Sequence, residues 1–214
     1  MSGSCKTVEA FPVFDAEGRI RPVPVELDPF AFFGLSRRLG IDEAALEAKY
    51  YELSRKLHPD FFTNAPAAER VRSLDAAARL NKAYRILKDP IRRSVCLVEL
   101  ESGKMEENSA RPPADLLEQI LETQENVAEL KCCDGDDEPD GIRGRLLAAK
   151  ECFEALRAGQ RAEMEKLSAK WDAALDAGDP SPGEAIGKMR SLLSLRKYIE
   201  NVLRSVEEAL KGSA

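Results

Sequence analysis

From Leu146 to Ala174 one spacing repeats. Leu146, Ala149, Phe153, Leu156, Met164, Leu167, Trp171 and Ala174 return in steps of three, four or twice four. Only a helix gathers such residues into a single apolar stripe, since about 3.6 residues complete a turn. A strand would scatter them over both faces. The run therefore predicts a long helix that must bury its stripe against other elements. The same signature recurs at Leu46, Tyr50, Leu53 and Leu57, at Ala77, Leu80, Tyr84 and Leu87, and at Leu116, Ile120, Val127 and Leu130. It closes the chain at Ala185, Met189, Leu192, Ile199, Leu203, Val206 and Leu210. An all-α fold is expected.

Local signals set the ends of these helices. Residues 1–27 hold three prolines and alternate short apolar patches with charges, so they read as an irregular leader. Within it, Phe11–Phe14 and Ile20–Val25 can pair as a hairpin around Glu17-Gly18. A short first helix is expected over Phe30–Leu35. A second starts at Asp42, an N-cap residue, with Ile41 and Leu46 placed as a hydrophobic staple. Pro59 stops it, because proline biases the preceding residue away from helical angles. A third helix restarts near Pro66 and closes at Asp89-Pro90. The second and third should form an antiparallel hairpin.

Residues 102–113 read as a polar link to a second unit over 114–211. Its first helix runs from about Pro113 to Lys131. The acidic stretch Cys132–Gly141 is expected as a loop, followed by the long helix described above. Ser181, Pro182 and Glu184 then form a capping box for the last helix. Three amphipathic helices with short joints make a bundle.

Charge and cysteines narrow the function classes. With a net charge of −6, the chain lacks the excess of positive charge on which nonspecific nucleic-acid binding rests. No apolar run approaches the about 20 residues needed to span a bilayer, and no secretory signal is visible. A cytoplasmic protein without nucleic-acid or membrane partners is expected. The five cysteines, Cys5, Cys96, Cys132, Cys133 and Cys152, include one adjacent pair and no Cys-x-x-Cys. Zinc needs ligands spaced so that a turn can wrap the ion, so no metal and no cofactor is expected.

The only histidine lies at a helix stop, in "YYELSRKLHPDFF", Tyr50–Phe62. Three readings of His58-Pro59-Asp60 compete. One is a plain helix-ending turn. Another is a catalytic base with its orienting carboxylate, for which no nucleophile or phosphate loop is visible. The last is a recognition turn beside the cations Lys49, Arg55 and Lys56. The stretch from Asp28 to Pro90 resembles a J-domain, the module by which co-chaperones engage DnaK-type ATPases. "DPFAFFGL" matches its first helix, "ALEAKYYELSRKLHPD" its basic second helix with the terminal tripeptide, and "LNKAYRILKDP" the end of its third. The resemblance implies that His58, Pro59 and Asp60 touch the nucleotide-binding domain of the chaperone, with Lys49, Arg55 and Lys56 as the docking surface. It also implies that the ATPase is the partner's and that this chain is no enzyme. Phe61 departs from the lysine that many J-domains have there. The J-domain would span 28–101.

A J-domain followed directly by a three-helix acidic bundle is similar to HscB, the co-chaperone of iron–sulfur cluster biogenesis, over about Asp28 to Leu210. On pattern alone, Leu117 and Leu121 fall roughly 100–140° round from Leu116, with Glu122, Glu125 and Glu129 just beyond. They form either a contact face or a widened core edge with a solvated flank. "DLLEQILETQENVAEL" lines up with the helix by which HscB proteins bind the cluster scaffold protein, IscU. That implies a scaffold-contact role for Leu117, Leu121, Glu122, Glu125 and Glu129. The aromatic that the family tends to carry within "KMRSLLSLRKYIE" is here Ser191, with Leu192 and Leu195 as neighbours. The tetracysteine knuckle of some relatives is represented only by Cys5. The partners implied are an HscA/DnaK-type chaperone ATPase and an IscU-type scaffold. The alternatives are a J-protein recruiting another client through its bundle, a purely structural helical adapter, and a hydrolase using His58.

Overall fold

Asp28 begins the regular structure: its Oδ1 accepts the amide of Phe30 at 2.8 Å, and Pro29 takes the first helical position. In the computed structural model, which describes residues 10–105, 112–132, 141–178 and 183–212, all the helices and strands described are helices. The chain divides into two compact units, 1–104 with 168–186 and 105–167 with 187–214.

The first unit holds α1 (Pro29–Phe33), α2 (Glu43–Lys56), α3 (Ala67–Lys88) and α4 (Pro90–Ser102). Helix α1 stops at Phe33, earlier than expected, because Gly34 caps it at φ 66°, where a side chain would be strained. It delivers Phe30, Phe32 and Phe33 to the core. Asp42 caps α2 by accepting the amide of Ala45 at 3.0 Å, and Leu46, Leu53 and Leu57 are buried as expected. The facing stripe of α3 is Ser73, Ala76, Leu80, Ala83 and Leu87. Ala77 and Tyr84, expected inside, are half-buried. The small Ala76 and Ala83 let the helices approach, while the Tyr84 ring stacks on Tyr50 at the rim, 4.2 Å between centroids.

Helix α4 was not anticipated, because Asp89-Pro90 reads as a stop. It is also a start: Asp89 Oδ1 accepts the amides of Ile91 and Arg92 at 2.8 and 3.0 Å, and Pro90 occupies the first position. Leu97 and Val98 of α4 are fully buried. Cys96 is half-buried on the same helix, and burial pushes its thiol up to about 12. Cys132 and Cys152 are exposed. Iodoacetamide at pH 8 is therefore expected to alkylate Cys132 and Cys152 in the native protein and Cys96 only after unfolding. Native labelling of Cys96 at a comparable rate, read by peptide mass spectrometry, would contradict that placement.

The leader forms its expected turn. Phe14 and Ile20 bridge antiparallel, Arg21 donates its amide to Val13 O at 2.9 Å, and Gly18 turns at φ 76°. Val13, Ile20 and Val23 are buried in the same apolar cluster as Phe30, Leu57 and Leu80.

The end of α6 (Ile142–Asp176) belongs to this unit as well. Trp171, read from sequence as a bundle residue, donates Nε1–H to Arg37 O at 2.8 Å. The Asp172 carboxylate accepts the amides of Leu39 and Gly40 at 2.9 and 2.6 Å, and Arg38 pairs with Asp176. A Cβ at Gly40 would lie 2.9 Å from Asp172 Oδ2, so a larger residue there would require the carboxylate to shift. Asp172→Ala is expected to cost about 2 kcal/mol, since charged hydrogen bonds to amides are the stronger kind. A thermal-melt change worth less than about 0.5 kcal/mol would show that water serves these amides equally well.

The second unit comprises α5 (Ala114–Cys132) with the parts of α6 and α7 (Gly183–Gly212) assigned to it. Val127, Leu130, Ile142, Leu146, Phe153, Ile199, Leu203 and Val206 fill its core. Arg145 Nε donates to Asn126 Oδ1 at 2.9 Å, and Cys152 Sγ lies 3.9 Å from Gln119 Oε1, so α5 and α6 run antiparallel. Ion pairs Lys150–Glu207 and Arg157–Glu200 order α6 against α7 in the same sense. This is the expected three-helix bundle. Two inward positions differ. Leu193 is buried where Leu192 was expected, and Leu156 is 39% exposed, about 60° round the helix from Phe153. Half of the linker, most of the acidic loop, and Ser181 and Pro182 of the capping box, Cys5 and Cys133 lie outside the described residues.

Candidate functional site

The last carbonyls of a helix lack intrahelical donors. At the end of α2 the buried hydroxyl of Ser73, from α3, donates to Leu57 O at 2.8 Å. The Leu57 side chain is itself fully buried. The chain thus leaves α2 from a point fixed on both sides. His58 is extended, and Pro59 opens a single 3₁₀ turn, Pro59–Phe62, closed by the Phe61 amide on His58 O at 3.0 Å. His58 Nδ1 accepts the Asp60 amide at 3.3 Å.

The Asp60 carboxylate lies 3.5 Å from that same nitrogen. The two contacts demand different protonation. As an acceptor, Nδ1 carries its lone pair and Nε2 the proton, and 3.5 Å is too long for a useful carboxylate bond. A catalytic dyad needs the reverse, a carboxylate accepting from Nδ1–H. Both side chains are also open to water, 53% for His58 and 87% for Asp60. The turn holds both side chains out to solvent without the carboxylate-to-imidazole bond of a dyad.

The structure brings the sequence-predicted cations beside the turn and qualifies them. Lys49 and Lys56 lie on one flank of α2 and share Glu52, at 3.4 and 2.7 Å. The hydrogen bond from Lys56 and then the charge of Lys49 hold the Glu52 carboxyl below its ordinary range. Arg55 is exposed and enters no ion pair among the described residues. Sequence reasoning missed one contributor and noted another only as a departure from the J-domain pattern. Ser73 is a polar residue inside the buried stripe of α3, a signal that was readable. Phe61, next to the tripeptide, is 76% exposed.

On α5, Leu117 and Leu121 are 43% and 56% exposed, one helical turn apart, so the structure sets them outside the core. Glu122 and Glu125 are exposed as well. Glu129 is exposed too, and it sits 3.6 Å from Arg145 of α6, a solvent-exposed ion pair. Ser191 is exposed, its hydroxyl donating to Gly187 O, while Leu192 and Leu195 are half-buried. Among the described residues, no group of three His, Cys, Asp or Glu could hold a metal, and no helix is long and apolar enough to cross a membrane.

A helical hairpin whose connecting turn is an exposed His-Pro-Asp is the arrangement that the resemblance to J-domain co-chaperones implied. No family model matches the sequence. The HscB co-chaperone homologue of Azoarcus sp. (strain BH72) is 32% identical over 188 residues, 86% of this chain and 98% of its own length. That of Cupriavidus taiwanensis is 35% identical over 185 residues, 86% and 93% of the two chains. The chain belongs to the HscB co-chaperone family. Among solved structures, the Vibrio cholerae HscB chaperone matches with a TM-score of 0.55 at 25% identity, covering 87% of this chain and 99% of that one. Human HscB shares the fold, with a TM-score of 0.62 at 18% identity over 93% and 90% of the chains.

Proposed function

We propose that this chain is a non-enzymatic co-chaperone of iron–sulfur protein maturation. Its bundle binds an IscU-type scaffold through Leu117 and Leu121, flanked by Glu122 and Glu125, with Glu129 at the edge. Its J-domain delivers that scaffold to an HscA/DnaK-type chaperone in the cytoplasm and stimulates the chaperone's ATPase. The cluster is the scaffold's cargo, and this chain supplies contacts only.

The observation that carries the reading is the anchored turn. Ser73 pins the Leu57 carbonyl, Pro59 fixes the backbone, and His58 and Asp60 stand exposed beside Lys49, Arg55 and Lys56. A preordered turn loses little conformational entropy on binding, and the cations steer encounter with an acidic surface. The test is a steady-state ATPase titration of the chaperone with this protein, with and without scaffold. Stimulation that rises further when scaffold is added supports the proposal, and a flat response refutes it.

The exposed leucine pair also suits a bundle that recruits a different client. Titration calorimetry with the scaffold separates the two: no heat of binding by the wild type would remove the iron–sulfur role while leaving the J-domain role standing.

A further inference from the structure

Beside the His-Pro-Asp turn lies an open groove of about 630 Å³, lined by Phe14 and Gly18 of the N-terminal hairpin, Arg55 and Lys56 of α2, and Phe61 and Phe62 of the 3₁₀ turn. Its floor is aromatic and its rim is cationic. Phe61 presents most of its ring to water, where an aromatic side chain gains nothing by itself. The two cations that line it, and the hairpin carboxylates near it in sequence, are committed unequally. Asp15 and Glu17 of the hairpin are both taken up by Arg19, at 2.9 and 3.0 Å, and Lys56 by Glu52. Arg55 alone of the rim cations enters no ion pair among the described residues.

Two features say what fits. The groove is continuous with the tripeptide, since Phe61 and Phe62 belong to the same 3₁₀ turn as Pro59 and Asp60. An aromatic floor with an unpaired guanidinium at its edge complements an apolar side chain followed by a carboxylate. We propose that the groove is a second contact for the same ATPase partner. It takes a short acidic–apolar surface segment of that partner, the apolar side chain between Phe14, Phe61 and Phe62 and the carboxylate on Arg55. The N-terminal hairpin is thereby part of the docking surface, although it precedes the helices that carry the trigger. This rests on the proposed chaperone role.

The test pairs kinetics with footprinting. In the ATPase titration, Phe61→Ser and Phe14→Ser should each raise the half-saturating concentration about tenfold, or about 1.4 kcal/mol, with maximal stimulation retained. Hydroxyl-radical footprinting of the unmodified protein with the ATP-loaded chaperone should shield both Phe14 and Phe61, a readout independent of how Phe14→Ser folds. Shielding of Phe61 without Phe14 overturns the hairpin's role and leaves the chaperone reading intact. Shielding of Phe61 that grows with the concentration of this protein alone assigns the groove to a second copy and overturns the proposal. If the wild type neither stimulates the ATPase nor is shielded, the chaperone reading fails and the groove proposal with it.

Discussion

Replacing His58 with glutamine is expected to return the partner's ATPase to its basal rate, while far-UV circular dichroism and the thermal midpoint stay at wild-type values. The two halves of that expectation come from different parts of the turn. For the fold, His58 contributes one exposed 3.3 Å bond to the Asp60 amide, and the anchor, Ser73 on Leu57 O, is untouched. For the contact, the imidazole is the one group in the tripeptide with a flat face and a proton at Nε2, set edge-on to Phe61 at 6.4 Å. Glutamine offers an amide on a flexible stem, so the ring geometry is lost and more conformational freedom must be frozen. Truncations at the centre of an interface typically cost about 2–4 kcal/mol, a loss of at least about thirtyfold in complex formation. A variant that still stimulates within twofold of wild type, with its fold intact, would refute the contact role of the turn.

The second large effect is expected on the other unit. Leu117→Ala with Leu121→Ala should weaken scaffold binding about 100-fold, since burying a leucine at an interface is worth about 1.5–3 kcal/mol before its costs. Because the two side chains are 43% and 56% exposed in the free protein, their loss should leave the melting temperature within a few degrees of wild type, about 1 kcal/mol or less. Titration calorimetry reads the affinity, and a differential scanning calorimetry scan of the same variant reads the melting temperature. Unchanged affinity would place the scaffold elsewhere. Charge reversal at Glu125 should act mainly on association rate and salt dependence, as rim charges do. Glu129 is expected to behave differently from its neighbours, because it is already paired with Arg145.

How much of this was readable depended on the kind of signal. The stop at Pro59 and the cap at Asp42 follow from local chemistry, and the structure places them so, whereas for Leu117 and Leu121 spacing left a contact face and a widened core edge open, and only packing sets both side chains outside the core. Helix α4 was missed because Asp-Pro ends one helix and starts another with the same two residues. The α3 stripe was read one position off on its alanine side because Ala76 and Ala77 carry the same apolar signal, and only packing against α2 chooses between them. The burial of Val13, Ile20 and Val23 with the helices is a contact between segments far apart in sequence, for which periodicity holds no information. Trp171 was rightly read as buried, but its partner, the Arg37 carbonyl, is 134 positions away.

That separation bears on synthesis. The amides of Leu39 and Gly40 receive their carboxylate from Asp172, 133 and 132 residues later. At a translation rate of about 5–20 residues per second, the loop between α1 and α2 waits roughly 7–27 s after leaving the peptidyl-transferase centre before its acceptor is even made. The His-Pro-Asp turn, by contrast, needs Ser73, only 16 positions beyond Leu57. On the ribosome, the turn can therefore be assembled early, while the loop preceding its helix is completed only near the end of translation.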